Sequence, residues 1–411
     1  MKKFLFVLIT VVIVSGLIFS GCKSTTSSTP TSGETLKVGV IASTSGFFAA
    51  LGEYMVPGAQ MAIDKENASG GVLGRKVEMV LRDDQADPSV VGQKASDLKA
   101  SGCVGIVGSF MDAVSTALNQ WGNDNKFLIA GATDTVLADR TTKFSKYVFF
   151  HQAVNLATST VFSQEISKMN DVKSVYYLSG DVVVAHDIYD SFWASMAKSK
   201  PSVTNLGVTW VGSQEMDFSS SIGTILAKNP SLIITGLGGP QWPAFVKQAV
   251  QFGLFQKCKV TAMYGLDAST STPLGKDTPE GIYGIMYCPF FLDTPEMKAF
   301  QADFGARVKG QYVNDLTLNY YNATYALLEA IKKANSLDTD KIIAAWETLT
   351  LNTPVGTVSM DAYDHQLEVP VWWATTKNSP DYPIVTGTNL VKYQQGIYPT
   401  KDQVNTLRAA K

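Results

Sequence analysis

Short apolar runs alternate with longer stretches of helical spacing from Leu36 to Phe252. Leu36–Ile41 (LKVGVI), Val77–Leu81, Val104–Val107 and Phe127–Ala130 read as strands of the kind a parallel sheet buries between helices. Between them, Tyr54–Asn67 places Val56, Ala59, Ala62 and Ile63 at helical spacing, and Ser89–Ala100 and Asp112–Asn123 are helical too. From His151 the alternation starts again. Helix Thr158–Met169, strand Val175–Leu178, helix Asp187–Ala197 and strand Val203–Trp210 lead to helix Ser219–Ala227, strand Leu232–Thr235 and helix Pro243–Phe252. Strands and helices in this order predict parallel sheets with right-handed crossovers. The second half repeats the architecture of the first without repeating its residues, so the chain reads as two similar α/β lobes.

The run Val104–Thr116 (VGIVGSFMDAVST) is the centre of that pattern. Its strand breaks at Gly108-Ser109 and resumes as a helix, which leaves the first backbone N–H groups of the helix without partners. In an open parallel sheet such groups face the crevice beyond the strand ends, where small ligands settle. Ser109 and Phe110 are therefore candidates. So is the turn after the first strand, where Ser45 offers donors and Phe47 or Phe48 an apolar wall.

The first 35 residues carry a different message. Lys2 and Lys3 precede an uncharged apolar run, Phe4–Phe19, that ends in Ser20-Gly21-Cys22. This resembles a bacterial lipobox, with Phe19 in place of the usual leucine, and implies cleavage before Cys22 and a lipid on that cysteine. An uncleaved membrane anchor is the plainer alternative and also puts the body outside the cell. Residues 23–35 are Ser/Thr-rich and read as a flexible tether. The remaining body, about 375 residues, is long enough to divide into two lobes. Without residues 1–21 it holds 32 basic against 36 acidic residues and no basic stripe, which argues against nucleic acid. Cys103, Cys258 and Cys288 have no metal-like spacing, and His151, His186 and His365 are scattered, so no metal or cofactor is expected. Pairing of Cys258 with Cys288 stays open. No nucleophile-elbow, zinc-protease, phosphate-loop or dinucleotide motif argues for an enzyme.

Gly58–Asp87 is more specific. A helix ending in Glu66-Asn67, then Gly70-Gly71-Val72-Leu73-Gly74-Arg75-Lys76, a strand, and Asp83-Asp84-Gln85 with Pro88 resembles the leucine/isoleucine/valine-binding family, the type I periplasmic binding proteins. Gly70, Gly71 and Gly74 suit tight turns, and Asp83-Asp84 close the strand. The likeness runs over most of residues 36–375, through Gly131-Ala132-Thr133-Asp134, Asp217-Phe218, Gly238-Gly239, Gln251-Phe252-Gly253-Leu254 and Thr353-Pro354-Val355-Gly356. It implies an α/β fold of two flavodoxin-like lobes with parallel central sheets. Three hinge crossovers would join them near Phe150–Leu156, Tyr287–Phe290 and Ser359–Gln366. The first lobe would comprise 36–152 with 288–361, the second 153–287 with 362–411. Such a protein traps a small solute in the cleft and, as a monomer on its lipid anchor, docks on an ABC permease. A sensor of the same fold, which signals and does not deliver cargo, is the alternative.

The resemblance also implies a pocket. Thr133 matches the threonine that assists a ligand carboxylate, and Gly131 the residue whose carbonyl takes an ammonium. Asp112 stands where relatives carry serine. There it either caps its helix or faces a ligand that presents an amine, amide or hydroxyl, because a carboxylate beside it would be repelled. In the second lobe His186 stands near the family's closing tyrosine, or is a surface-loop histidine. After Gly239 the acid that holds an ammonium is missing, and Gln241 and Trp242 follow at the expected cleft mouth, where a flat solute or plain loop packing would account for them. Tyr264, Asp267, Tyr287 and Tyr320 are weaker candidates. The set points to an amino acid or a related small solute, aromatic or amide solutes included, rather than a plain branched-chain amino acid.

Overall fold

The computed structural model describes residues 35–410, so the leader, Cys22 and nearly all of the tether lie outside the described residues. The chain opens with β1 (Leu36–Ala42), α1 (Ala49–Ala68), β2 (Val77–Asp83), α2 (Val91–Ala100), β3 (Cys103–Gly108), α3 (Asp112–Asn125), β4 (Ile129–Gly131), α4 (Leu137–Arg140) and β5 (Val148–Phe150). These strands form one sheet in the order β2-β1-β3-β4-β5, every neighbour parallel. The apolar runs become its strands because helices cover both faces. Val38 and Val40 have no exposure.

Helix α1 begins five residues earlier than its spacing predicts. Gly52 and Pro57 read as helix breakers, yet α1 starts at Ala49. A Cβ at Gly52 would come within 2.7 Å of the Ser43 carbonyl oxygen, so glycine lets the helix pass over the turn after β1.

The second body begins with α5 (Asn155–Lys168), β6 (Ser174–Gly180) and α6 (Val183–Ser199). Helix α6 takes in the β-branched run Val182-Val183-Val184, where packing overrides local propensity. Then come β7 (Thr204–Val211), α7 (Ser219–Lys228), β8 (Leu232–Thr235), α8 (Gln241–Gln251), β9 (Lys259–Ala262), α9 (Ala268–Ser271) and β10 (Tyr283–Met286). The chain returns to the first body for α10 (Pro295–Arg307), α11 (Asp315–Ala334), α12 (Thr339–Trp346) and the hairpin β11 (Thr350–Thr353) with β12 (Gly356–Ser359). It crosses back to supply β13 (Val371–Lys377) and β14 (Thr386–Tyr393), and ends in α13 (Lys401–Ala409). The second sheet runs β14-β13-β10-β9-β8-β6-β7. The strands β10-β9-β8-β6-β7 are parallel, whereas β13 runs antiparallel to both of its neighbours, β10 and β14. Helix α13 leaves that sheet, and its Arg408 guanidinium lies 4.1 Å from the Phe144 ring centroid of the first body.

The chain thus passes between the two sheets three times: after β5, after β10 and after β12. The first and third passages are tied to each other. Phe150 N donates to His365 O (2.9 Å), and Leu367 N donates to Phe150 O (2.8 Å). Phe149 stacks between Trp346 (4.1 Å) and His365 (4.0 Å), almost parallel to both. Cys103, Cys258 and Cys288 are free thiols, which closes the question of a Cys258–Cys288 bridge.

Helices α1 and α11 meet closely at Gly58, where an added Cβ would run into the Thr317 carbonyl oxygen. Gly58→Ala gains about 1 kcal/mol of helix propensity but forces apart a packed pair, at about 1–3 kcal/mol. The variant is expected to unfold at lower denaturant with an unchanged m-value; equal or higher stability would show that the pair has slack.

Candidate functional site

In parallel sheets a ligand site is sought at the C-terminal strand ends, here those of β1, β3 and β4 in the first sheet and of β6, β8 and β9 in the second. In the first lobe the turn after β1 is held from below. Ser43 Oγ donates to Asp84 Oδ1 (2.6 Å) and Ser45 Oγ to Asp83 Oδ2 (2.5 Å), while Thr44 N donates to Asp83 Oδ1 (3.0 Å). The Asp83-Asp84 pair therefore pins the turn as well as ending β2, and the Ser45 hydroxyl is already engaged. Phe47, 43% exposed, and Phe110 both pack edge-on against Phe48, at 4.9 and 5.3 Å between ring centroids. These three rings form one apolar cluster beside the turn after β1.

Ser109 is fully buried, and its carbonyl accepts from Thr133 Oγ1 (2.5 Å). Gly131 departs from expectation. Its carbonyl oxygen accepts from His151 N (3.0 Å) and faces His151 Nδ1 at 3.1 Å, so both lone pairs are occupied and none is left for an ammonium.

Asp112 settles differently from either alternative. Met111 precedes the helix and no side chain caps it; Asp112 is the first helical residue. Its Oδ1 accepts from Thr135 N (2.9 Å), and both carboxylate oxygens lie 3.0 Å from the Thr135 hydroxyl. The capping role is therefore excluded, and a half-buried carboxylate is held by the next loop. Burial raises its pKa, while Thr135 and the more distant Arg140 act in the opposite sense.

From the second lobe Tyr264, half-buried, packs over Gly238, where a Cβ would sit 2.9 Å from its ring. Burial and the charges of Asp112, Asp315 and Asp267 all push its phenol up. Tyr287 shares a 2.6 Å hydrogen bond with Thr158 Oγ1. Asp267 caps α9, accepting from Ser269 N (2.9 Å) and Ser269 Oγ (2.5 Å).

Other expectations fail. Trp242 is fully buried in the core with Phe245 and Ile222, not at the cleft mouth, because α8 turns it inward. Gln241 Nε2 donates to the carbonyls of Gly212 (2.9 Å) and Glu215 (3.1 Å), pinning the loop after β7. Gly239 supplies a φ of +50° just before that helix. His186 pairs with Asp181 (2.7 Å) and stacks on Trp210 at 3.9 Å. Tyr320 is a core residue whose hydroxyl donates to Ile41 O (2.8 Å).

Two residues that sequence reasoning missed stand behind the site. Asp315 Oδ1 accepts from Tyr287 N (3.2 Å) and Cys288 N (2.9 Å), so the start of α11 grips the second crossover. Locally it reads only as a first-turn acid after the Asn314 cap. Arg140, fully buried, ties the loop after β4 to the other two crossovers through Gln366 Oε1 (2.7 Å), Asp134 Oδ1 (3.1 Å) and Gln152 O (3.3 Å). Among the described residues no group of three or more His, Cys, Asp or Glu could hold a metal ion, and no helix is long and apolar enough to cross a membrane.

Burial drives the His151 pKa down to about 3. A base with a lowered folded pKa holds its stability above the unfolded value and loses it as pH falls. The loss begins near pH 6.5 and grows by at most about 1.4 kcal/mol per pH unit until about pH 3. NMR should show His151 ring signals that do not titrate between pH 5 and 8; titration near 6.5 would place the ring in water.

A profile of the family described as "Periplasmic binding protein" matches residues 35–380. The chain is similar to the leucine-, isoleucine-, valine-, threonine- and alanine-binding protein of Pseudomonas aeruginosa, 24% identical over 334 residues that cover 80% of this chain and 86% of that protein. Among solved structures it resembles an amino acid ABC transporter substrate-binding protein from Pseudomonas fluorescens, with a TM-score of 0.81 and 18% identity over 91% of this chain and 99% of that one. A second is an ABC-transporter solute-binding protein from Rhodopseudomonas palustris in complex with 3,4-dihydroxybenzoic acid, with a TM-score of 0.78 and 19% identity over 88% and 99%. The matched proteins are solute-binding proteins, not enzymes.

Proposed function

The chain belongs to the periplasmic binding protein family, and from that premise we propose that it is the extracytoplasmic receptor of an ABC importer, trapping one class of small solute by closure of its lobes. The observation that carries this reading is the cleft itself. Asp112 of the first lobe and Tyr264 of the second come within electrostatic range of each other, and the chain crosses between the two sheets three times, the connectivity that a hinge closure uses. Binding would stabilise the closed arrangement, and a permease would read that closure. The relatives' names and bound compounds, aliphatic amino acids in one case and a dihydroxylated aromatic acid in another, support a compact solute. Asp112 favours one that presents hydrogen-bond donors, whether an amino acid, an amide or an aromatic compound.

Residues 1–22 support a lipid anchor at Cys22, with the body held off the membrane as a monomer. Cys22→Ala should move the protein from the membrane fraction to the soluble extracytoplasmic fraction in a cell-fractionation blot; unchanged membrane retention refutes the anchor.

A thermal-shift screen of amino acids, amides, aromatic acids and polyols, followed by small-angle X-ray scattering, tests the receptor reading. One class should raise Tm and reduce the radius of gyration; no hit, or a hit without compaction, would end it. Asp112→Ser removes the negative charge and should shift preference at least tenfold toward carboxylate-bearing amino acids. An unchanged ligand profile would take Asp112 out of the site.

A further inference from the structure

Three acids gather at the proposed cleft with no basic group hydrogen-bonded to any of them. Asp267 N donates to Tyr264 O (3.2 Å) and Asp315 N donates to Asp267 Oδ2 (3.3 Å), which gathers two acids beside Tyr264, and Asp112 comes within electrostatic range of the same phenol. Asp112 and Asp315 also act on Tyr287, and Asp267 on Tyr54. Each carboxylate takes its hydrogen bonds from neutral donors. Asp112 uses Thr135, and Asp315 uses the Tyr287 and Cys288 amides. Asp267 uses Ser269, Asn314 Nδ2 (3.4 Å) and Asp315 N (3.3 Å). The Arg140 guanidinium feels Asp112 only at range, because its five N–H groups all point to other acceptors.

Enclosed carboxylates without a cation are unfavourable, so each is driven toward its protonated form, and burial raises the pKa of all three. Any cation that enters relieves this, whereas an anion makes it worse.

A separate observation points the same way. The Tyr177 hydroxyl is buried, with the residue 1% exposed, and has no hydrogen-bond partner. The residue sits midway along β6, and its oxygen reaches the turn after β8, 3.7 Å from where a Cβ of Gly236 would be, in the same turn as the Gly238 that Tyr264 covers. A phenol oxygen orphaned there can accept from an N–H group of a solute seated against Tyr264. The Tyr264 ring can in turn cover an ammonium.

Resting on the reading of the cleft as the solute site, we propose that the solute is an organic cation, an amine without a carboxylate, held between Asp112 and Asp315 under Tyr264. Asp112 supplies the charge from the first lobe. Asp315 supplies it from the start of α11, using the oxygen that does not hold the Tyr287 and Cys288 amides. The same arrangement disfavours zwitterions, since a carboxylate attached to the bound amine would have to lie among like charges.

The test uses the purified full chain and five probes: isoamylamine (leucine without its carboxylate), putrescine, isopentanol, leucine and 4-hydroxybenzoate. At least one amine should raise Tm, and titration calorimetry should find it bound tenfold or more tighter than leucine. In buffers of different ionisation enthalpy below pH 6, amine binding should release protons. Asp112→Asn and Asp315→Asn should each weaken the amine at least tenfold; if Asp315→Asn does not fold, Asp112→Asn decides. Tighter binding of leucine, isopentanol or 4-hydroxybenzoate than of both amines overturns the charge assignment and leaves the cleft as the solute site. So does an Asp112→Asn variant with unchanged amine affinity. If none of the five binds, the charge assignment is overturned, and the wider screen then decides whether the cleft binds any solute.

Discussion

The arrangement of the lobes depends on one buried guanidinium. Arg140 has no solvent exposure, and its five N–H groups meet five acceptors: Gln366 Oε1, Asp134 Oδ1, Val136 O, Asp134 O and Gln152 O. Its plane lies 4.0 Å from the Phe150 ring centroid. Burying a charge is costly unless every donor is satisfied, so this side chain tolerates little relative movement of the groups around it. Those groups belong to the loop after β4 and to the first and third crossovers. Asp315 does the corresponding work at the second crossover through the Tyr287 and Cys288 amides. A carboxylate and a guanidinium thus hold the joints, while the apolar cores hold the lobes.

Much of the fold was legible along the chain because it is periodic and local. The runs LKVGVI and VGIV announce buried strands, and the Gly70-Gly71 and Asp83-Asp84 turns are written in adjacent residues. What stayed hidden depends on distant partners. Asp112 looks like an N-cap until Thr135, from another loop, is seen holding it. Gly131 looks like a ligand contact until His151 fills its carbonyl. Trp242 shows how little a loop position says about direction: beside Gly239 it suggests a cleft mouth, yet the first turn of α8 points it into the core. Asp315 and Arg140 carried no local signal at all, since their roles lie in amides and carbonyls that the linear pattern places far away.

The chemistry of the cleft follows from the same contrast. Asp83 and Asp84 are neighbours in sequence and serve one turn, whereas Asp112, Asp267 and Asp315 come from three separate segments and converge on one phenol. The second group creates an electrostatic demand shared between distant segments, because enclosure there removes water without supplying a hydrogen-bonded basic partner.

Thr135 has one further contact. Its amide and hydroxyl hold Asp112, and its carbonyl accepts from Asn155 N (3.0 Å), the opening residue of α5 in the other lobe. On the proposed reading of the cleft, a single residue would be the fulcrum between cargo and swing. Any turn of the far lobe would start one peptide away from the solute's anchor, so letting go and opening up would be the same event.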